Sequence, residues 1–350
     1  MLFEWTPISV KENSYSNLNS IAKYFFPYNF LLFFVTILIG IQIPSVQPEF
    51  LKYTFYMGII FLGMAHGAAD HLFAWGMIKR QNLFKKISLL LIYASFSVLY
   101  LIIWKYLPLV ALSLFLIITI LHWGQGDRYF CLKIYNCLYL KDCSYLKTLN
   151  ILIKGTIPIF VSIYSDFAFS VSFIGSLFDQ LGHDLFEIGL LSDFYDLYII
   201  IPILLFIIYI LMLFMYCRAT RNYNLKGIMF DISETILLFL LFLSLPTALS
   251  LGIYFIMWHS LRHAVRILLA DGRFLRGPFK YIPFNISFRW FQLTGAMTIL
   301  AFIGSSFFLS YNILVPNIDV MWISYTFIAI SCLTFPHFIT VYLMDKIELD

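Results

Sequence analysis

The sequence predicts an all-α fold: a polytopic integral membrane protein, built as a single bundle of about ten transmembrane helices. Three observations carry this. Hydrophobic residues make up 61% of the 350-residue chain and charged ones only 12%, where an ordinary soluble domain is about a quarter charged. Apolar runs long enough to cross a hydrocarbon core of about 30 Å recur along the whole length. The segments between those runs alternate in charge, one set basic and the other acidic.

Taken in order, the spans are expected at 28–46, 54–78, 87–103, 107–125, 151–175, 197–217, 232–249, 251–270, 290–311 and 321–343. Residues 1–27 form a cytoplasmic N-terminal segment, and 28–345 one transmembrane helical domain. The first apolar run starts only near Tyr28 and lacks a small-residue cleavage site, so no cleavable leader is expected. The basic links are KRQNLFKK (79–86), the 126–149 loop, RATRNYNLK (218–226) and Arg273–Arg289. DQLGHDLFEIGLLSDFYD (179–196) carries five acids and neither lysine nor arginine. The positive-inside rule therefore puts both termini in the cytoplasm, with the plasma membrane as the expected location. Pro158, Pro202, Pro246 and Pro336 fall within spans and are expected to kink them. The five cysteines fit no zinc spacing and no disulfide framework, so free thiols are expected. The net charge of +4 reads as a topology signal, and no nucleic-acid partner is implied.

Three segments carry most of the intramembrane polarity: HGAADH with His66, Asp70 and His71, HWGQGD with His122, Gln125 and Asp127, and WHSLRH with His259, Arg262 and His263. Ionisable groups at such depth are costly, face the protein interior and point to function. His259 and His263 are i and i+4, share a helix face, and can hold one metal ion between them. His66 and His71 lie five residues apart, about 140° around a helix at roughly 100° per residue, and cannot easily share an ion. Asp70, at i+4 from His66, can reach that ring's second nitrogen and fix its tautomer. Four imidazoles suit iron, zinc, copper or nickel. They would close a tetrahedral structural zinc site, or leave two octahedral positions open on ferrous iron for O2. Haem fits poorly, because ligands one turn apart on one face cannot reach opposite sides of a porphyrin.

At these residues the chain resembles the Brp/Blh family of membrane β-carotene 15,15′-dioxygenases, which make retinal for microbial rhodopsins. The matching segments are HGAADHLFAW (66–75), ILHWGQGD (120–127) and IYFIMWHSLRH (253–263), with FPHFITVYLMD (335–345) in support. The resemblance implies that the 28–345 domain is catalytic, with one non-haem Fe(2+) held by His66, His122, His259 and His263. It implies β-carotene or a related carotenoid, O2 and the lipid bilayer as partners, two all-trans-retinal as products, and a retinal-binding rhodopsin as recipient. A membrane-soluble hydrocarbon would then meet the iron where it already dissolves.

Around the four histidines, Asp70, Asp127 and Arg262 are expected to support the ligands, Arg262 by pairing with one of the two aspartates. Tyr254 and Trp258 are the candidate substrate contacts. Arg266 and Lys154 are expected to snorkel to the surface. A rhodopsin would need a lysine deep in the bundle, so the chain itself is not read as one. His337, after Pro336, is expected to make an interhelical hydrogen bond. Two rival functions use the same residues: an ion relay through Asp70, Asp127, Arg262 and the histidines, and a non-catalytic partner of a rhodopsin or carotenoid pathway.

Overall fold

A computed structural model describes residues 67–71, 83–183, 192–220, 223–270 and 318–349, with a few single positions besides. The expected spans 28–46 and 290–311, most of 54–78, and the basic link from Arg273 to Arg289 lie outside the described residues. The described chain is helical. It runs as α1 (Leu83–Tyr106), α2 (Pro108–Lys133), α3 (Ser144–Thr156), α4 (Phe167–Gln180), α5 (Leu197–Thr220), α6 (Leu225–Ser244), α7 (Thr247–Tyr254), α8 (Ser260–Ala270) and α9 (Ile318–Leu349). A single turn, Tyr139–Asp142, precedes α3. Wide π turns continue α3 at Ile157–Val161 into Ser162–Ser165, and join α7 to α8 at Phe255–His259.

Among the described residues, six helices are long and apolar enough to cross a membrane: Leu83–Tyr106, Pro108–Lys133, Ser144–Ser165, Leu197–Thr220, Leu225–Ser244 and Thr326–Lys346. Their boundaries follow local chemistry. Leu107 precedes a proline, which disfavours the α conformation, and Pro108 opens α2 where its missing N–H costs nothing. Asn224 caps α6 by accepting the Gly227 N–H at 3.3 Å.

Several expected limits are corrected. The span placed at 151–175 begins at Ser144 and ends at Ser165, because Asp166 adopts a non-helical φ of −134° and separates it from α4. The span placed at 232–249 starts at Leu225 and stops at Ser244. Extended Leu245 precedes Pro246, so this proline ends a helix instead of kinking one. Pro158 is absorbed by the first π turn, whereas Pro202 and Pro336 stay inside helices.

The described residues divide into two compact units, one holding 67–115 and those from 255 onward, the other 116–254. In the first, α1 packs on α9 through an aromatic seam. Trp104, fully buried, donates from Nε1 to Ser331 Oγ at 2.6 Å. Phe335 meets both Phe96 and Tyr100, and Phe327 meets Phe115 at 4.8 Å. Much of the remaining surface of α1 is exposed Leu, Ile and Phe, as a lipid-facing helix requires.

In the second unit, α2 and α3 touch backbone to backbone. A Cβ on Gly124 would collide with the Ile151 carbonyl, and one on Gly155 with that of Ile120. The pairing of 124 with 151 and of 120 with 155 makes the crossing antiparallel. Small residues allow such approach, which is the usual packing device inside membranes.

Beside it lies a buried charge network. Lys154 Nζ meets Asp231 Oδ1 at 2.7 Å and Glu234 Oε2 at 3.2 Å, with all three side chains 0% exposed. Asp231 accepts further hydrogen bonds from Tyr139 (2.8 Å), Asn150 (3.0 Å), Cys131 (3.2 Å) and Tyr209, and Glu234 from Tyr135 at 2.7 Å. Lys154 therefore does not snorkel. Burial of a lysine is tolerable here because two carboxylates neutralise it and tyrosines satisfy the remaining lone pairs. All five cysteines are free thiols, and Cys131 belongs to this network.

Candidate metal centre

In the first unit a helical turn at 67–71 presents Asp70, α1 presents Tyr93, α8 presents His263, and α9 presents His337 directly after Pro336. Asp70, His263 and His337 are buried at 4%, 7% and 4% exposure. His337 Nδ1 lies 2.8 Å from Asp70 Oδ2 and 2.9 Å from Oδ1, so an N–H there donates to the carboxylate. Tyr93 shares its O–H between Asp70 at 3.1 Å and the Leu333 carbonyl at 3.3 Å. The His263 and His337 rings stand at 80°, centroids 5.4 Å apart. Asp70, His263 and His337 each offer a donor atom, all within 4.8 Å of one another. Imidazole and carboxylate donors of this kind hold divalent transition metals.

His259 is buried at the end of the π turn and close enough to His337 and Arg262 to interact electrostatically with both. Arg262 lies over the Trp258 ring at 3.8 Å, a cation–π contact. Arg266, expected to snorkel, is instead buried and pairs with Asp345 at 2.7 Å, tying α8 to α9. His71 faces its own backbone, with Nδ1 at the Ala68 carbonyl. His66 lies outside the described residues.

In the second unit His122 and Asp127 are both buried on α2, and Asp127 acts electrostatically on Lys154. At roughly 100° per residue, position 122 is about 180° from the midpoint of 120 and 124. His122 therefore faces away from the backbone crossing with α3. Tyr254 is also buried here, its ring 5.2 Å from Trp123 and 5.6 Å from Phe242.

Sequence reasoning paired Asp70 with His66 through helical spacing; among the described residues its carboxylate goes to His337 and Tyr93. The interhelical hydrogen bond expected of His337 is present. Its partner was hidden by a separation of 267 positions. The available signal was FPHF, a histidine after an intramembrane proline.

Apolar helices of spanning length that enclose histidines and carboxylates define the class: a polytopic helical membrane protein able to gather metal-binding donors in its interior. A family model described as Beta-carotene 15,15'-dioxygenase matches residues 57–345. The chain belongs to that family. It is similar to the "Probable beta-carotene 15,15'-dioxygenase Blh" of Halobacterium salinarum, 24% identical over 220 residues, 61% of each chain. It is also similar to the "Beta-carotene 15,15'-dioxygenase" of Uncultured marine bacterium 66A03, 34% identical over 70 residues, 20% of this chain and 26% of the relative. The chain thus spans less than two thirds of the length of either relative. No solved structure matches.

Proposed function

We propose that this chain is an iron-dependent dioxygenase that cleaves the central 15,15′ double bond of β-carotene, or of a related carotenoid, with O2 to give two all-trans-retinal. The family match over residues 57–345 carries the reading. Buried imidazoles in the motif segments support it. Asp70, His263 and His337 have the donor chemistry that ferrous iron accepts, so the residues present fit such an ion. The ligands in this proposal are His66, His122, His259 and His263, with Asp70, Asp127 and Arg262 supporting them.

Iron, when bound, supplies the means for O2 to react with a hydrocarbon. The side chains supply the rest. Asp70 holds a ring nitrogen of His337 and so fixes the orientation of that imidazole next to His263. The apolar helices exclude water and admit a substrate already dissolved in the bilayer. Tyr254 and Trp258 border the substrate in this reading. One oxygen atom goes to each carbon of the broken bond, so the overall reaction needs no net proton transfer.

The same proposal has one catalytic domain over 28–345, about ten spans, both termini cytoplasmic, the plasma membrane as site, and a retinal-binding rhodopsin as recipient of the product. Purified protein given β-carotene in air, with and without ferrous iron, tests the reading. Retinal formation that requires the metal supports it. Intact carotenoid at full metal occupancy overturns it and favours an ion relay or a non-catalytic partner.

A further inference from the structure

The hydrogen bond to Asp70 fixes one edge of the His337 imidazole. Bonded at Nδ1 to the carboxylate, the ring has a fixed tautomer and plane, and Nε2 is the nitrogen on its opposite edge. Carboxylate–imidazole pairs of this form commonly stand behind metal-binding histidines, holding the ring and raising its basicity. An interhelical clasp alone also gives no reason for a second imidazole, His263, to be buried within 4.8 Å of the same donor set. Enclosing these groups in an apolar interior is costly unless their polarity is used.

The ring geometry can be tested against ligation. With a metal–nitrogen bond of about 2.1 Å and about 1.1 Å from nitrogen to ring centre, each centroid stands about 3.2 Å from a shared ion. Two such rings, about 90–110° apart at the ion, have centroids about 4.5–5.2 Å from each other. The observed separation is 5.4 Å at 80° between planes, within a few tenths of an ångström of that range. His259, buried four residues before His263, also lies within electrostatic reach of His337.

We propose that His337, oriented by Asp70, is a further metal-binding residue beside His263, donating through Nε2. This rests on the reading above that the centre holds a divalent metal. Asp70 is then a positioning residue for His337.

The test uses the full chain in detergent, stripped and reloaded with Co(II) or Fe(II). Affinity is read from metal retained at fixed free concentration, and geometry from the visible Co(II) spectrum. His337→Gln keeps a donor for Asp70 but loses the imidazole; it should bind metal at least 10-fold more weakly with an altered spectrum. Asp70→Asn leaves the ring in place and should weaken binding by about 10–100-fold. His263→Ala is the control for the parent reading and should empty the site. If His263→Ala loses metal while His337→Gln keeps wild-type affinity and spectrum, His337 is only an interhelical clasp and the inference fails. If His263→Ala retains metal, the parent reading fails as well. Should His337→Gln not fold, Asp70→Asn decides alone, and unchanged affinity there overturns the inference.

Discussion

Replacing Lys154 by Met would remove the ammonium that bonds both Asp231 and Glu234 while roughly keeping the side-chain volume. Both carboxylates are 0% exposed and lie 2.7 and 3.2 Å from the ammonium. Asp231 would keep Tyr139, Tyr209, Asn150 and Cys131 as donors, and Glu234 would keep Tyr135. Both would lose the lysine ammonium. Leaving a buried charge without its partner costs about 3–5 kcal/mol, whereas exchanging the whole ionic group for neutral residues is often close to neutral. Lys154→Met should therefore unfold about 3–5 kcal/mol more easily. The triple variant with Asp231→Asn and Glu234→Gln should recover more than half of that loss, a coupling that independent sites would not show. Reversible unfolding in mixed micelles, followed by circular dichroism, reads both quantities. A single variant within about 0.5 kcal/mol of wild type, as surface substitutions usually are, would mean that the lysine reaches water, and the buried-network account would be wrong.

Gly124→Ala should fail to accumulate or lose most of its stability, because the new methyl meets the Ile151 backbone; a normally expressed, wild-type-stable variant would contradict the close crossing. His66→Ala, His122→Ala, His259→Ala and His263→Ala should each lose bound iron and nearly all retinal production. His71→Ala should keep its iron, since that ring is turned to the Ala68 carbonyl; metal analysis beside a retinal assay separates the two groups. Reporters fused after Lys86 and Lys226 should appear cytoplasmic and one near Asp184 external. Finding Asp184 and Lys226 on one side would break the charge-sorted topology.

Helices whose ends coincide with the ends of apolar runs were legible. The expected 87–103 and 197–217 sit inside α1 and α5, and 107–125 overlaps α2, which starts one residue later and continues to Lys133. The misplaced limits occur where charge is paired internally. Hydropathy trimmed α6 to begin after Asp231, and α3 to begin after Asn150, yet both residues are buried and bonded to each other. A hydropathy window treats such side chains as facing water because their partners are elsewhere in the chain. Lys154 and Glu234 are 80 positions apart. The site divides in the same way. His259 and His263 could be read as a pair because one helix turn relates them, which is local geometry. Asp70 and His337 could not, because a fold and not a period brings them together. The π turn ending at His259 likewise has no signature in a periodicity of one angular step per residue.

The glycine crossing between α2 and α3 has a mechanical consequence. Contacts between side chains are springs: a rotamer shifts, a methyl group gives way, and two helices slide or roll by a fraction of an ångström. Where the Ile120 and Ile151 carbonyls lie against the Gly155 and Gly124 backbones, no such spring is present. The two helices are keyed together, and neither can roll on its axis without carrying the other. His122 projects from the opposite side of α2, so it moves like a hand fixed to a keyed shaft. The direction of its Cα–Cβ bond is set by bond geometry and hard backbone contact. Changes in the side chains around His122 should therefore alter the ring's rotamer and surroundings long before they alter the direction from which the side chain leaves the helix.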